Sequence, residues 1–269
     1  MTNKIEVKNL KKTYDNFVLG KNSFEIKKGF ITGFIGKNGM GKTTTIKSLL
    51  SLINYDGEVF VDGEDARNLN YLQDVGIIMD DSFLSKDWKI SMVNEAMKCG
   101  YENWEEEKFF DYIKKFGIEK NKKVKELSRG MKIKLMFAIA LSHKANLLIL
   151  DEPTAGLDPR GRDEILSEIK NIHENRKMTV ILVSHSMEDV AKIAERIIVF
   201  DKGKVFLDGE PREIFRNEDK LLGVGLGIPQ ITSLMRTLKK KGLDINEDAI
   251  TVEEAKESLK KYLRGASNV

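Results

Sequence analysis

Residues 36–43 read Gly-Lys-Asn-Gly-Met-Gly-Lys-Thr, which is a complete G-x-x-x-x-G-K-T phosphate-binding loop. The apolar run at 30–35 predicts a strand that feeds into the loop, and residues 43–50 predict a helix that follows it. Because glycine lets the backbone curl closely around an anion, successive N–H groups can surround a triphosphate that also faces the positive end of the helix. The chain is therefore expected to be built on an α/β core that binds a nucleoside triphosphate.

The loop supplies most of the candidate nucleotide ligands. The Lys42 ammonium is expected to reach the β- and γ-phosphate oxygens, and the Thr43 hydroxyl is expected to bind Mg²⁺. The backbone from Gly39 to Thr44 is expected to wrap the same phosphates. The predicted nucleotide-binding residues of the loop are Gly36, Asn38, Gly39, Gly41, Lys42, Thr43 and Thr44.

The charge balance gives no reason to expect a nucleic-acid partner. Lys and Arg number 45 against 42 for Asp and Glu, a net charge of +3, whereas nucleic-acid-binding proteins usually present a strongly basic face. The single cysteine, Cys99, excludes an internal disulfide and fits a reducing compartment. No signal peptide is predicted, and no apolar run of about 18 residues predicts a membrane span. If the chain powers transport, we expect the channel to be another polypeptide.

Hydrophobic periodicity divides the chain into a core, an insertion and a tail. Alternation over 5–10, repeated over 24–26, predicts two antiparallel strands, and Asp56-Gly57 predicts a turn. Apolar residues then recur at helical spacing between dense charges, which predicts a helical subdomain at about 82–142. The unbroken apolar run at 147–150 predicts that the core resumes with a buried parallel strand.

Residues 217–269 are predicted to be a helical appendage behind a core domain at 1–216. Pro229 suits the first residue of one helix, and Thr251-Val252-Glu253-Glu254 is a capping box that predicts a second. The first helix carries an apolar face formed by Ile231, Leu234, Met235 and Leu238. A face this wide needs cover from the core, from the second tail helix or from a second copy of the chain.

Polar side chains follow two buried strands of the predicted core. Asp151 and Glu152 follow the run at 147–150, and His185 follows an apolar run at 178–183. Because carboxyl ends of parallel strands form the ligand-binding edge of a sheet, Asp151 is expected to hold Mg²⁺ through water. Glu152 is expected to be the general base that polarises the attacking water. The alternative is that both carboxylates only cap the next turn, and a lone histidine is often structural or exposed, as we expect of His143 and His173.

Together these motifs follow a fixed order, with Leu127-Ser128-Arg129-Gly130-Met131 between the phosphate loop and Asp151. The order resembles that of the ATP-binding subunits of ABC transporters over at least residues 1–216. The resemblance implies a P-loop NTPase (ABC ATPase) core with an antiparallel β-subdomain, a helical subdomain and the C-terminal helical appendage. It also implies hydrolysis of ATP to ADP and phosphate, with His185 contacting the γ-phosphate and fixing the attacking water.

The same resemblance implies a site built from two chains. Ser128 is predicted to be the N-cap of a helix whose free N–H groups need an anion. In the family, the equivalent helix of one subunit, here with Ser128 and Gly130, caps the γ-phosphate held by the other. Asp158 matches the family's dimer-contact loop. Tyr14 falls where an aromatic ring stacks on adenine, although an ordinary strand-edge tyrosine is the alternative.

Three positions depart from the family pattern. The signature motif is usually L-S-G-G-Q, so that Met131 lacks the polar contact of glutamine and Arg129 adds a cation beside the phosphates. Asp80 occupies the position of a usual glutamine; its carboxylate can bind Mg²⁺ through water but cannot donate hydrogen bonds. A turn-forming Asp80-Asp81 pair is the alternative.

The two ends of the chain resemble different transporters. The L-S-R-G-M motif, the Asp-Asp loop and residues 103–116 resemble ATPases of exporters for antibiotics and similar molecules. Residues 176–269 resemble ATPases of energy-coupling-factor importers for vitamins and metals. A mosaic chain, natural or engineered, would combine both resemblances, and the sequence leaves that open.

The sequence favours an ATP-hydrolysing subunit that powers a small-molecule or peptide exporter, because residues 80–126 are expected to dock on the membrane subunit. An energy-coupling-factor importer ATPase is the alternative, as is a binding-only module with degenerate catalysis. A DNA- or ribosome-acting ATPase would need a coiled-coil insertion or a second cassette. The expected partners are a transmembrane permease and a second ATPase, identical or similar. The expected location is the cytoplasmic face of the membrane, and the expected cofactors are ATP and Mg²⁺.

Overall fold

The computed structural model describes residues 2–79 and 84–266, with strands and helices numbered in chain order. A four-stranded antiparallel sheet of order β2-β1-β4-β5 forms one layer. It contains β1 (Asn3–Tyr14), β2 (Phe17–Lys27), β4 (Asp56–Val61) and β5 (Glu64–Asp65). The alternation of β1 places Ile5 and Val7 on the buried face, as the period-2 pattern predicts.

The second sheet has six strands in the order β10-β9-β3-β8-β7-β6. They are β3 (Ile31–Ile35), β6 (Val75–Ile78), β7 (Leu147–Asp151), β8 (Thr179–Val183), β9 (Arg196–Asp201) and β10 (Lys204–Gly209). All pairs are parallel except β9 with β10. The carboxyl ends of β3, β7 and β8 therefore lie side by side at one edge of the sheet.

Ten α-helices surround the sheets within the described residues. They are α1 (Lys42–Leu49), α2 (Ile90–Gly100), α3 (Glu106–Lys115), α4 (Arg129–Ser142), α5 (Pro159–Arg176), α6 (Met187–Ile193), α7 (Pro211–Arg216), α8 (Glu218–Gly223), α9 (Gln230–Lys240) and α10 (Val252–Ala266). Short 3₁₀ turns occupy Ala66–Asn68, Asn70–Asp74 and Val124–Glu126. Among the described residues, none of these helices is both long enough and apolar enough to cross a bilayer.

The hydrophobic core has three parts. The largest lies between helices α2 to α6 and one face of the six-stranded sheet. A second lies between the two sheets, where Phe24 and Phe34 meet edge to face with ring centroids 5.8 Å apart. A small third core joins Met235 of α9 to Ala255 of α10 in the tail. Apolar packing thus fixes the position of one sheet relative to the other. The β1–β2 turn is thereby held at a constant distance from the edge of the parallel sheet.

The structure corrects two sequence expectations about turns and caps. Asp56-Gly57 is not a turn, because it lies inside β4 at an irregularity opposite β1, where a Cβ on Gly57 would come within 2.5 Å of Asn9 O. Pro229 is the N-cap of α9 rather than its first helical residue. In the predicted capping box, the Glu254 N–H donates to Thr251 Oγ1 at 3.3 Å, but the Glu254 carboxylate accepts from Ile250 N instead of Thr251 N.

The chain beyond residue 216 does not pack as one unit. Leu221 of α8 and the following Leu226 belong to the largest core cluster, together with Phe215. The separate small core begins only with α9. Within the tail, Met235 is fully buried, whereas Leu234 is half exposed.

Candidate functional site

The phosphate-binding loop connects β3 to α1 at the ligand-binding edge of the sheet. Gly41 is the N-cap of α1 with a left-handed φ of 103°, and a Cβ there would lie 2.8 Å from Leu19 Cδ1. At Gly36, a Cβ would lie 2.5 Å from Phe200 O. These positions need glycine because the loop passes directly against β2 and β9. The helix dipole and the unpaired N–H groups of the first turn of α1 therefore point into the loop.

Lys42 lies inside the loop with its ammonium group turned toward the backbone. Its Nζ donates to Gly36 O at 2.5 Å and to Lys37 O at 3.1 Å. Burial lowers the pKa of Lys42 below its usual value, and the nearby carboxylates of Glu152 and Asp151 act in the opposite direction. The ammonium is held where a phosphate could replace the loop carbonyls as its partner.

The end of β7 approaches the start of α1. Thr43 Oγ1 lies 3.4 Å from Asp151 Oδ2, so that a hydroxyl and a carboxylate oxygen converge. Such hard oxygen donors are the ligands that Mg²⁺ prefers. No group of three or more His, Cys, Asp or Glu side chains suited to a metal occurs within the described part of the chain. Two protein oxygens fit Mg²⁺ nonetheless, because this ion usually completes its shell with water and substrate phosphates.

Glu152 and His185 are brought together by neighbouring strands β7 and β8. His185 Nδ1 donates to Glu152 Oε2 at 2.7 Å, and the Glu152 N–H donates to Val183 O at 3.0 Å. Glu152 has a left-handed φ of 52°, which is uncommon for a residue other than glycine. The pairing uses Nδ1 of the imidazole and directs its Nε2 away from the carboxylate.

A cleft of about 570 Å³ joins these elements to the β1–β2 turn. Tyr14 lies at its rim and is exposed, as an aromatic platform would be. Asn16 and Phe17 also line the cleft, although the sequence analysis did not identify them. The two-residue turn between Tyr14 and Phe17 was the available signal, because antiparallel pairing places both aromatic residues at the end of the hairpin. The residues that line the cleft are Tyr14, Asn16, Phe17, Asn38, Gly39, Gly41, Lys42, Thr43, Thr44, Asp151 and Glu152.

The α4 N-terminus lies outside this cleft. Ser128 is the N-cap, because its Oγ accepts from Met131 N at 3.3 Å. Within the described chain, the lining of the cleft does not include Ser128 or Gly130. Arg129 lines a separate cavity of about 200 Å³ together with Asp151 and Glu152. Arg129 therefore shares a cavity with the two carboxylates and is not among the residues that line the cleft at the phosphate loop.

Two further predicted residues have different outcomes. Asp158 is the N-cap of α5, and its Oδ1 accepts from Gly161 N at 3.0 Å. Asp80, the predicted Mg²⁺ ligand, lies outside the described residues.

Comparison with known proteins identifies the family. A family model described as ABC transporter matches residues 19–155, just over half of the chain. The chain belongs to the ABC transporter ATP-binding family. The fold of this ABC ATPase, with its P-loop core, antiparallel sheet and helical region, is the one that the motif order predicts. The chain is accordingly the ATPase subunit of an ABC transporter.

Relatives of this ABC ATPase extend over nearly its whole length. The energy-coupling factor transporter ATP-binding protein EcfA2 of Caldanaerobacter subterraneus subsp. tengcongensis is 40% identical, with 95% of this chain and 94% of the relative covered. EcfA2 of Clostridioides difficile is also 40% identical, with 90% of each chain covered. EcfA1 of the first organism is 38% identical, with 88% of this chain and 89% of the relative covered. The match includes both the predicted exporter-like and importer-like parts of the sequence.

Solved structures give the same fold. CbiO1 from Clostridium perfringens, part of the ABC transporter complex CbiONQ, has a TM-score of 0.71 and 27% identity, with 88% of this chain and all of that chain covered. The ATP-binding cassette MJ0796, in a dimeric post-hydrolysis state bound to ADP and Pi, has a TM-score of 0.68 and 23% identity, with 77% and 98% covered. At that identity the second likeness concerns the fold alone.

Proposed function

We propose that this ABC ATPase drives an importer of the energy-coupling factor type. The observation that favours import is the run of relatives named as energy-coupling factor ATP-binding proteins at up to 40% identity over 95% of the chain. The exporter prediction rests on the L-S-R-G-M motif, the Asp-Asp loop and residues 103–116, with residues 80–126 as the expected docking surface, and these features cover only part of the chain. The alternative that sequence analysis held second thus has the stronger support, with vitamins or metals as the substrate class.

The cleft suits the binding of ATP by one chain. Stacking of adenine on Tyr14, with Phe17 behind it, would place the triphosphate along the loop from Gly39 to Thr44. Lys42 would exchange its bonds to the loop carbonyls for bonds to the β- and γ-phosphates. Thr43 and Asp151 would hold Mg²⁺, which when bound neutralises charge on the phosphate oxygens.

The 2.7 Å contact between Glu152 and His185 carries the hydrolytic part of the proposal. Glu152 would accept a proton from the attacking water, and its bond to Nδ1 would orient the imidazole so that Nε2 faces the γ-phosphate. The two side chains come from adjacent strands at the edge where Lys42 and Thr43 begin α1. This arrangement supports one reacting centre, around which a base, a phosphate-contacting group and phosphate ligands would act together.

A second copy of the chain, or a similar ATPase, would complete the site. The N-terminal turn of α4 at Ser128 and Gly130 does not line the cleft of the same chain, and it would suit the γ-phosphate of a partner. A transmembrane subunit would dock on the helical subdomain, and this docking would hold the protein at the cytoplasmic face of the membrane. Closure and opening of the ATPase pair would move the helices of that subunit. No nucleic acid is expected to take part.

Glu152→Gln tests the hydrolytic assignment. The amide is nearly isosteric but cannot accept the proton, so ATP affinity should stay within about twofold while turnover falls at least about 100-fold. Dimers that retain MgATP should accumulate on a sizing column. Glu257→Gln, on the exposed face of α10, is the matched control and should hydrolyse ATP normally.

Two results would contradict the proposal. Hydrolysis by Glu152→Gln at the wild-type rate would remove the general-base role. A wild-type chain that binds MgATP and never hydrolyses it would support the binding-only alternative, for which Arg129 and Met131 in the signature motif are the reason.

Co-expression tests the type of transporter. The chain should purify in a stable complex with the transmembrane subunit of an energy-coupling factor transporter and stimulate uptake in vesicles. Assembly with an exporter permease instead would contradict the importer proposal and support the prediction of a small-molecule or peptide exporter.

A further inference from the structure

A buried carboxylate lies in α6, the helix that follows His185. Asp189, in the first turn of α6, is 2% exposed, and Thr154, two residues after Glu152, is 3% exposed. Thr154 Oγ1 donates to Asp189 Oδ2 at 2.6 Å. This short bond joins the loop that follows Glu152 to the helix that follows His185.

The same carboxylate also holds the far end of that loop. Arg162, in the first turn of α5, places Nε 3.2 Å from Asp189 Oδ1, an ion pair without hydrogen-bond alignment. Thr154 lies near the start of the loop at 153–158, and the N-cap of α5 is the last residue of this loop. One side chain of α6 thus contacts a residue at the beginning of the loop and another just beyond its end.

α6 itself is fixed close to His185. Ser186, the next residue, is the N-cap of α6, and its Oγ accepts from Asp189 N at 3.2 Å. The Ser186 N–H donates in turn to Ser184 Oγ at 3.1 Å. The Asp189 carboxylate is therefore positioned relative to His185 by one short turn and its cap.

Burial of a carboxylate costs free energy unless its partners compensate for lost hydration. Here one partner, Thr154, lies in the loop that follows Glu152, and the other, Arg162, lies in the first turn of α5. The Glu152–His185 contact and the Thr154–Asp189 bond link the same two segments, which the Glu152 N–H also joins through Val183 O. Removal of the Thr154–Asp189 bond therefore loosens one of the constraints that hold the Glu152 side chain against His185.

We propose that Asp189 is a positioning residue for ATP hydrolysis, which sets the placement of Glu152 against His185 through its bond to Thr154. The inference rests on the proposed function of these two residues. It assigns a role in turnover to side chains that touch neither nucleotide nor metal.

Thr154→Val tests the bond with little change in shape, since it removes only the hydroxyl donor. We expect kcat to fall about 10- to 100-fold, as for a small misplacement of reacting groups, while the Kd for ATP stays within about twofold because the phosphate loop is untouched. Thr154→Ser should recover most of kcat because it restores the donor.

Thr232→Val is the matched control. Thr232 in α9 is equally buried, and its hydroxyl donates to Ala249 O at 2.8 Å, far along the chain from the site. It should lose a similar amount of stability with no loss of kcat.

A second readout does not depend on turnover. The chain has three histidines, so ring resonances of His185 can be followed by selective ¹³C labelling. Thr154→Val should shift the resonances of His185 and leave those of His143 and His173 in place. Unmoved His185 resonances, or kcat and Kd that change together, would overturn the positioning role. An inactive wild type would count against the proposed function, and the resonances would still decide this inference.

Discussion

At the scale of single residues, Lys42 is subject to two opposing influences. Burial in the loop lowers its pKa, while the carboxylates of Glu152 and Asp151 raise it. Bound phosphates would add strong negative charge and raise the pKa further. The nucleotide complex should therefore bind a proton more tightly at Lys42 than the free protein does.

The expected consequence is weaker ATP binding at high pH. The affinity for ATP should be highest below the lowered pKa that Lys42 has in the nucleotide-free protein. It should fall as pH rises above that pKa toward the usual lysine value of about 10.4. Titration of ATP at successive pH values by calorimetry measures this. Lys42→Gln should bind ATP more weakly, and its affinity should lack this alkaline decline. Equal pH dependence in the two proteins would contradict the assigned phosphate contact.

Site residues within motifs could be predicted because spacing alone fixes their neighbours. Thr43 follows the phosphate loop and Asp151 ends an unbroken apolar run, so both had to reach the same sheet edge. Phe17 and Asp189 could not be predicted in this way. Their positions near the site depend on the β1–β2 hairpin and on the packing of α6, which no short motif encodes.

At the scale of elements, His143 joins the end of α4 to the end of α2 and to the 3₁₀ turn at Asn70–Asp74. Its ring stacks on Tyr101 with centroids 3.9 Å apart, and Nδ1 donates to Gln73 O at 3.0 Å. Nε2 is buried and has no partner among the described residues. Burial accordingly lowers the pKa of His143 and keeps the imidazole neutral.

This pKa predicts loss of stability in mild acid. The unfolded chain takes up the proton first, so the free energy of unfolding should fall as pH drops below about 6.5 and level off below the folded-state pKa. His143→Phe keeps the stacked ring and should flatten this part of the profile. Urea unfolding at pH 5 to 8 measures the difference, with His173→Phe as control. An unchanged slope in His143→Phe would contradict the prediction.

The α4 N-terminus is predicted to act on a partner's nucleotide. Ser128→Arg should leave ATP binding by the monomer nearly intact and abolish ATP-induced dimerisation and hydrolysis. Ser128→Asp retains a capping acceptor and should have the same effect by repelling the phosphate. Ser167→Arg, on the exposed face of α5, is the control. Weaker binding by the monomer with dimerisation preserved would mean that the site lies within one chain.

Elements with a clear sequence signal were predicted closely, and irregular ones were not. The helix expected at 43–50 is α1 (Lys42–Leu49), and the strand expected at 147–150 is β7, which ends at Asp151. Asp56-Gly57 was misread because glycine serves turns and strand irregularities alike, and only the approach of Asn9 O distinguishes them. Short helices such as α7 and α8 give too few turns for a periodic signal.

At the scale of the whole molecule, the tail covers most of its own apolar face. Met235 is fully buried, and Ile231 and Leu238 pack against the small core shared with α10. Leu234 and Val252 remain 48% and 63% exposed and line a groove of about 770 Å³ beside α5 and α6. A contact between two tails would be centred on these two side chains.

We expect the nucleotide-free full-length chain to self-associate through the tail. Truncation after Ile228 retains Leu221 and Leu226 in the main core and should make association strictly dependent on ATP. Leu234→Glu should have the same effect without a truncation, and Thr237→Glu on the same helix is the control. Light scattering measures both. A monomer at tens of micromolar without nucleotide would leave the tail as a cover for its own core.

If Glu152 is the proposed general base, its left-handed backbone sets thermal stability against turnover. A residue other than glycine in this conformation costs about 1–3 kcal/mol, which the neighbouring strands must offset. Glycine at position 152 would remove that cost together with the carboxylate. Selection for thermal stability alone would therefore favour glycine at position 152. The resulting protein would be more stable but would lack the carboxylate proposed to support ATP hydrolysis.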